Sequence, residues 1–278
     1  MKKIIILLST YNGEKYLEEQ INSLYDQSYK NFEIIARDDG SNDSTLSILK
    51  SHNIRIIDSN KNLGAKESFI ELLKYAFKNT DAEYFMFCDQ DDVWKTNKIE
   101  KTLIKMQEIE NEFEFKPILV HTNLEVVDNE LKEISNSLWE YERILPQYNN
   151  FNRLMMQNTI TGCTVMINRR LAAKSLFIPN FAIMHDWWIG LIASKFGVIG
   201  YLNDSTILYR QHNNNTVGAK NRARINVIKF FLSSCFNLIK KDKEYMNHLE
   251  INIVQAKAFL DIFKEDLDQN TVNMIESK

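Results

Sequence analysis

Tyr84-Phe85-Met86-Phe87-Cys88-Asp89-Gln90-Asp91-Asp92 decides how this chain is read. Five apolar residues run into three carboxylates within four positions, the pattern of a buried strand ending at an acidic turn. Toward the N-terminus the pattern repeats. Ile4–Leu8 runs into Ser9-Thr10-Tyr11-Asn12-Gly13-Glu14, and Phe32–Ala36 runs into Asp38-Asp39-Gly40-Ser41. Helices are predicted over Gly13–Tyr25, Ser44–Lys50 and Lys66–Lys78, with a short strand over Ile54–Asp58. In the first helix Tyr16, Leu17, Ile21 and Leu24 share an apolar face. The order βαβαβαβ predicts an α/β fold with a twisted, mostly parallel sheet flanked by helices. Such sheets bind ligands beyond the carboxyl ends of their strands, so the polar clusters should meet in one cleft.

Downstream, helices are predicted at Lys98–Glu110, Asn150–Gln157, Arg169–Leu176 and Asp186–Phe196. Strands are predicted at Ile118–His121, Leu124–Asp128, Cys163–Asn168, Val198–Leu202 and Ser205–Tyr209. Beyond Gly218 there is no proline or glycine, and apolar residues recur at helical spacing. Arg222–Glu276 therefore reads as two or three helices.

The chain has 278 residues, 44% hydrophobic and 26% charged, within the ordinary range for a globular protein. A net charge of −3 gives no basic footprint for nucleic acid. Cys88, Cys163 and Cys235 are widely spaced and read as reduced thiols of a cytosolic protein. The apolar run after Met1-Lys2-Lys3 is too short for a secretion signal or a membrane span.

Taken singly, the polar clusters have two readings each. Asp89, Asp91 and Asp92 repel one another unless a cation sits among them, and all-oxygen ligands suit Mg²⁺ or Mn²⁺ bridging to a diphosphate. Alternatively Asp92 caps a helix. Thr10, Tyr11, Asn12 and Glu14 offer hydroxyl, aromatic and amide groups to a nucleoside, or else Asn12 caps the first helix. Asp38-Asp39-Gly40-Ser41 either accepts from a pyrimidine N–H or forms a turn.

In combination these pieces resemble glycosyltransferase family 2, the inverting transferases of GT-A fold. The matching segments are Ser9-Thr10-Tyr11-Asn12, Asp38-Asp39-Gly40-Ser41, Asn62-Leu63-Gly64 and Asp89-Gln90-Asp91-Asp92, in that family's order. Met184-His185-Asp186-Trp187-Trp188 and Tyr209-Arg210-Gln211-His212 look like the bacterial rhamnosyltransferases of cell-surface polysaccharide synthesis. The resemblance implies that Thr10, Tyr11, Asn12, Glu14, Asp38 and Asp39 surround the nucleoside. Asp89, Gln90 and Asp91 would meet the donor diphosphate, with Asp89, Asp91 and His212 at the metal. Asp186 would be the general base, and Trp187 or Trp188 a platform for the acceptor sugar. The family's usual Ala-Arg-Asn is replaced by Lys66-Glu67-Ser68, which leaves Lys66 as a candidate phosphate cation. It also implies a GT-A domain over residues 1–220, split into a nucleotide-binding half (1–100) and an acceptor-binding half (101–220). Residues 221–278 would be a C-terminal helical extension.

The expected reaction is a single displacement. A divalent cation neutralises the leaving diphosphate, and one carboxylate takes the acceptor proton. The first donor choice is dTDP-rhamnose and the second a UDP-hexose; the acceptor is a glycan or lipid-linked glycan at the inner face of the cell membrane. The alternatives are a sugar-nucleotide nucleotidylyltransferase and a catalytically silent carbohydrate-binding subunit. Arg222, Arg224, Lys229, Lys240, Lys241 and Lys243 alternate with Ile225, Ile228, Phe230, Phe231 and Leu238. That pattern suits packing on the catalytic domain, a homodimer contact, or a peripheral membrane contact.

Overall fold

The computed structural model of the protein describes residues 2–57, 61–212, 218–219 and 250–276. Strands β1 (Ile4–Thr10), β2 (Phe32–Asp38), β3 (Arg55–Ile57) and β4 (Tyr84–Cys88) form a parallel block in the order β3-β2-β1-β4. Side chains alternate across a strand, so an uninterrupted apolar run needs cover on both faces. Ile5 and Leu7 of β1 enter one core, and Ile4, Ile6 and Leu8 enter the other. Helices α1 (Leu17–Tyr25), α2 (Thr45–Ser51) and α4 (Lys98–Glu112) cover the second face; α3 (Gly64–Asn79), α7 (Arg169–Lys174) and α8 (His185–Phe196) cover the first.

The sheet as a whole is mixed, where a mostly parallel one is expected from the first hundred residues. Strand β8 (Met166–Asn168) pairs antiparallel with both β4 and β6 (Ile118–Val127). It thus joins the first parallel block to a second, β6 with β9 (Val198–Arg210). β8 runs straight into α7, and Asn168 Oδ1 accepts from Leu171 N at 3.0 Å to cap it. Val93–Trp94 forms β5, antiparallel to β9, and Glu133–Ser135 forms β7, antiparallel to β6.

β6 and β9 are each continuous, where the sequence reads as two strands apiece. Their polar interruptions are satisfied inside the sheet. Asn123 Nδ2 donates to Ser137 Oγ at 2.8 Å, and the Thr122 and Thr206 hydroxyls lie 2.6 Å apart. Register shifts at Thr122–Glu125 absorb the irregularity. In the other direction, α1 begins four residues later than expected. Asn12 sits at φ 47°, left-handed, and does not cap it.

Helices α5 (Leu138–Glu142) and α6 (Phe151–Met156) precede a single tight turn at Gly162–Thr164. Toward the C-terminus, residues 250–263 are helical (α9), and α10 spans Gln269–Glu276. Phe259 packs edge-on against Trp188 at 5.4 Å, and Phe263 meets Phe196 at 5.2 Å, so these helices share the α3–α8 core. The basic, apolar stretch Arg222–Lys243 lies outside the described residues. Among the described residues no helix is long and apolar enough to cross a membrane.

Candidate active site

The loops after β1, β4, β6 and β9 converge, with the β2 loop bonded to the first of them. A cleft of about 670 Å³ is lined by Tyr11, Asn12, Gly13, Lys15, Tyr16, Gln90, Asp91, Asn129, Gln211 and His212. Of the six residues expected around a nucleoside, Tyr11 and Asn12 line it, while Thr10, Glu14, Asp38 and Asp39 lie behind its wall and serve the loops themselves. Asp38 is buried and accepts from Thr10 Oγ1 at 3.0 Å and Ser41 N at 2.9 Å. Asn12 N donates to Ser41 Oγ at 2.8 Å, and Asn12 Oδ1 accepts from Asn42 N at 2.9 Å. Glu14 Oε2 accepts from Ser44 N at 2.9 Å. These bonds zip the first loop to the second. Asp39 is buried too; it is paired with Arg37 and accepts from Leu63 N at 2.9 Å and Gly64 N at 2.6 Å. Gly64 stands at φ 76°, a conformation that glycine adopts without strain. Tyr11, 47% exposed, offers its ring to the cleft.

Asp92 does not cap a helix. It is fully buried, Oδ1 accepts from Arg210 N at 3.2 Å, and the chain goes on as β5. The Arg210 guanidinium donates to the carbonyls of Asp91 and Asn129, each at 2.8 Å, and pairs with Glu19. The end of β9 is thereby bound to the acidic turn and to α1. His212 Nε2 lies 2.8 Å from Asp91 Oδ2 and stacks on Tyr16 at 5.1 Å. Tyr16, expected on the apolar face of the first helix, instead forms the floor under His212 and Arg210.

Asp186 is buried in the first turn of α8. Its Oδ1 accepts from Trp187 N at 2.7 Å and its Oδ2 from Asn158 Nδ2 at 3.3 Å. Burial pushes its carboxyl up to about 6 against those hydrogen bonds. Burial, then the charges of Asp91 and Asp186, push Asp89 up to about 7. Asp186 is therefore close enough to the acidic turn for its charge to be felt there. Asn158 carries no signal in the sequence, standing alone among Gln157, Thr159 and Ile160.

Two expected contacts, those of Lys66 and Trp188, fall elsewhere. Lys66 Nζ donates to the carbonyls of Asn180 and Ala182 at 2.8 and 3.0 Å, so α3 directs its ammonium to that loop. Trp188 is fully buried against α9 and offers no acceptor surface. Trp187 is half-buried and its Nε1 donates to Leu154 O at 2.5 Å. His185 is neither exposed nor bonded to the site; it packs on Phe69 at 4.3 Å, and burial pushes it down to about 3.

Two groupings could hold a divalent cation. Asp89, Asp92 and Cys163 bring one ligand atom each within 4.8 Å of one another. That set suits Mg²⁺ or Mn²⁺ poorly, because burial pushes the Cys163 thiol well up and it keeps its proton. Asp91 and His212, 2.8 Å apart on the cleft wall, give a carboxylate and an imidazole that suit Mn²⁺ or Mg²⁺ better, but the expected third ligand, Asp89, gathers with Asp92 and Cys163 instead.

A parallel block ending in an acidic turn and joined through β8 to a second block is the layout of the GT-A fold. The chain belongs to glycosyl transferase family 2, whose family model matches residues 5–177. This membership sets aside the nucleotidylyltransferase alternative. The dTDP-rhamnosyl transferase RfbG of Shigella flexneri is 30% identical over 232 residues, covering 76% of this chain and 74% of that protein. An uncharacterized glycosyltransferase of Rickettsia typhi is 31% identical over 191 residues; the match covers 66% of this chain and only 56% of that relative's length. Among solved structures, S. aureus TarS 1–349 in complex with UDP superposes with a TM-score of 0.59 at 18% identity, covering 91% of this chain and 80% of that one. At that identity the likeness concerns the fold.

Proposed function

We propose that this glycosyltransferase moves a sugar from a nucleoside-diphosphate donor to a carbohydrate acceptor with inversion. The observation that carries this reading is a buried carboxylate, Asp186, held by Asn158 and Trp187 and near enough to Asp89 for its charge to help raise that carboxyl.

In this reading the Tyr11 ring stacks on the base, and the β1 and β2 loops wall the nucleoside. Asp89, Asp91 and His212 hold a divalent cation, which when bound neutralises charge on the leaving diphosphate. Asp186 accepts the proton of the acceptor hydroxyl. A carboxyl raised toward neutrality is a stronger base than an ordinary aspartate and still ionised at pH 7. Inversion needs that one base and no covalent intermediate. Trp187, beside Asp186, is the candidate wall for the acceptor sugar.

The dTDP-rhamnosyl transferase RfbG supports dTDP-rhamnose as the first donor to try, and the UDP complex of TarS supports a UDP-hexose as the second. A glycan or lipid-linked glycan of the cell surface is the acceptor class, reached from the cytoplasmic side of the membrane. The test is a donor panel incubated with Mn²⁺ and a glycan acceptor, with the anomeric configuration of the product read by NMR. Retention of configuration would refute the single displacement, and no turnover of any donor would refute the assignment to sugar transfer.

A further inference from the structure

Gln90 stands between the two aspartates proposed to hold the cation, yet its side chain turns toward the first loop. Tyr11 N donates to Gln90 Oε1 at 2.8 Å, and Gln90 Nε2 donates to Tyr11 O at 3.0 Å. The carboxamide thus pairs with one residue's backbone at two points, as a neighbouring strand would. Space for it comes from Gly13: a Cβ there would lie 2.3 Å from Gln90 Oε1 and 2.7 Å from its Cδ. The far side of the loop is anchored separately, with Asn12 N on Ser41 Oγ and Gly13 N on Thr45 Oγ1, both at 2.8 Å. Gln90 therefore contributes a tie to the acidic turn, and the loop has other anchors to keep it folded.

We propose that Gln90 is a positioning residue that fixes the separation between the nucleoside end and the diphosphate end of the donor site. This rests on the nucleotide reading of the cleft given above. A nucleoside diphosphate has two binding ends at a set spacing. Both ends bind well in one molecule only if their subsites are held at that spacing beforehand. Tyr11 belongs to one subsite, Asp89 and Asp91 to the other, and the Gln90 carboxamide joins them directly. Gln90 acts in this reading through Tyr11, whose backbone takes up one N–H and one lone pair of the carboxamide.

The test compares whole ligands with their parts by titration calorimetry. UDP and dTDP probe both ends; UMP and dTMP probe the nucleoside end; pyrophosphate with Mn²⁺ probes the other. Two lost hydrogen bonds correspond to a weakening of about tenfold or more. Gln90→Ala is expected to weaken UDP or dTDP about tenfold and to leave the fragments as in wild type. Gln90→Glu, which sets an oxygen against Tyr11 O, should do the same. So should Gly13→Ala, which displaces the amide from the opposite side. In turnover, donor KM rises with kcat less affected. Gln90→Ala binding the diphosphates as tightly as wild type would overturn the proposal, and so would an equal weakening of a fragment, which marks direct contact. Wild-type protein that binds none of the probes would overturn the nucleotide reading instead.

Discussion

His212 Nε2 lies 2.8 Å from Asp91 Oδ2, across 121 positions of the chain. The contact is supported from below by Tyr16 and from the side by Arg210, which is itself bonded to the Asp91 carbonyl. If these two side chains share a cation, they fail in different ways. Asp91→Asn should abolish transfer, as should excess chelator. His212→Ala should raise the Mn²⁺ concentration for half-maximal rate by roughly 10–100-fold while the fold survives. Full activity in excess chelator would remove the metal from the mechanism.

Asp186→Asn separates chemistry from structure. Asparagine keeps the size and the acceptor oxygen for Trp187 N, but it cannot take a proton. The expected rate loss is roughly 10²–10⁴ with donor binding little changed. The variant should also be more stable. The folded carboxyl is raised from 3.8 to about 6, so between those values the folded state holds more protons than the unfolded. Stability therefore falls as pH rises through that window, and the charged form costs up to about 2–3 kcal/mol at pH 7. Removing the charge should raise the unfolding temperature at pH 7 and make no difference at pH 4. Wild-type turnover in this variant would point to another base. Glu125, paired with Lys95 at 2.8 Å, would then be tested as Glu125→Gln.

Two acid limbs are expected, and they can be told apart. Asp89 stands at about 7, so Mn²⁺ affinity should fall as pH drops below about 7. With Mn²⁺ and donor saturating, kcat should hold until Asp186 takes its proton near 6, then fall tenfold per pH unit. A saturated rate that stays flat down to pH 4.5 would contradict Asp186 as base.

The two tryptophans of Asp186-Trp187-Trp188 should answer to different measurements. Trp188 is fully buried against Phe259, and Trp188→Ala should cost about 3–5 kcal/mol in denaturant unfolding. Trp187→Phe keeps an aromatic wall and loses the bond to Leu154 O; acceptor KM should rise with stability changed by about 1 kcal/mol. Equal stability losses in both would show that Trp187 is core as well.

The strands of the parallel block were legible because β1 and β4 are apolar without interruption, which only two-sided burial explains. The convergence of the strand-end clusters followed from the same pattern. What stayed hidden depends on partners remote in sequence. Thr122 and Asn123 read as a break in β6 until Thr206 and Ser137 satisfy them. Asp92 kept a cap among its two readings because its partner, the backbone of Arg210, lies 118 positions away. Asp186 came forward through the family resemblance of Met184–Trp188, which gives no sign of Asn158, whose amide bonds to it. Lys66 and Gln90 carry suitable chemistry for a phosphate or a ribose, and nothing local says that carbonyls elsewhere in the fold engage them.

The strand order β3-β2-β1-β4-β8-β6-β9-β5 has a consequence on the ribosome. The first block can form as soon as Cys88 emerges, but its β4 edge has no neighbour until Met166–Asn168 is made. At roughly 5–20 residues per second, that edge stays bare for several seconds of synthesis. Val93–Trp94 waits longer still, for Ile207 and Leu208. A nascent chain thus displays an open apolar sheet well before it has a cleft, the interval in which bare edges invite pairing with other chains. Slow elongation between codons 90 and 170, or scarcity of a chaperone that shields strand edges, should reduce the yield of folded protein more than it would for a fold whose strands pair in the order they are made.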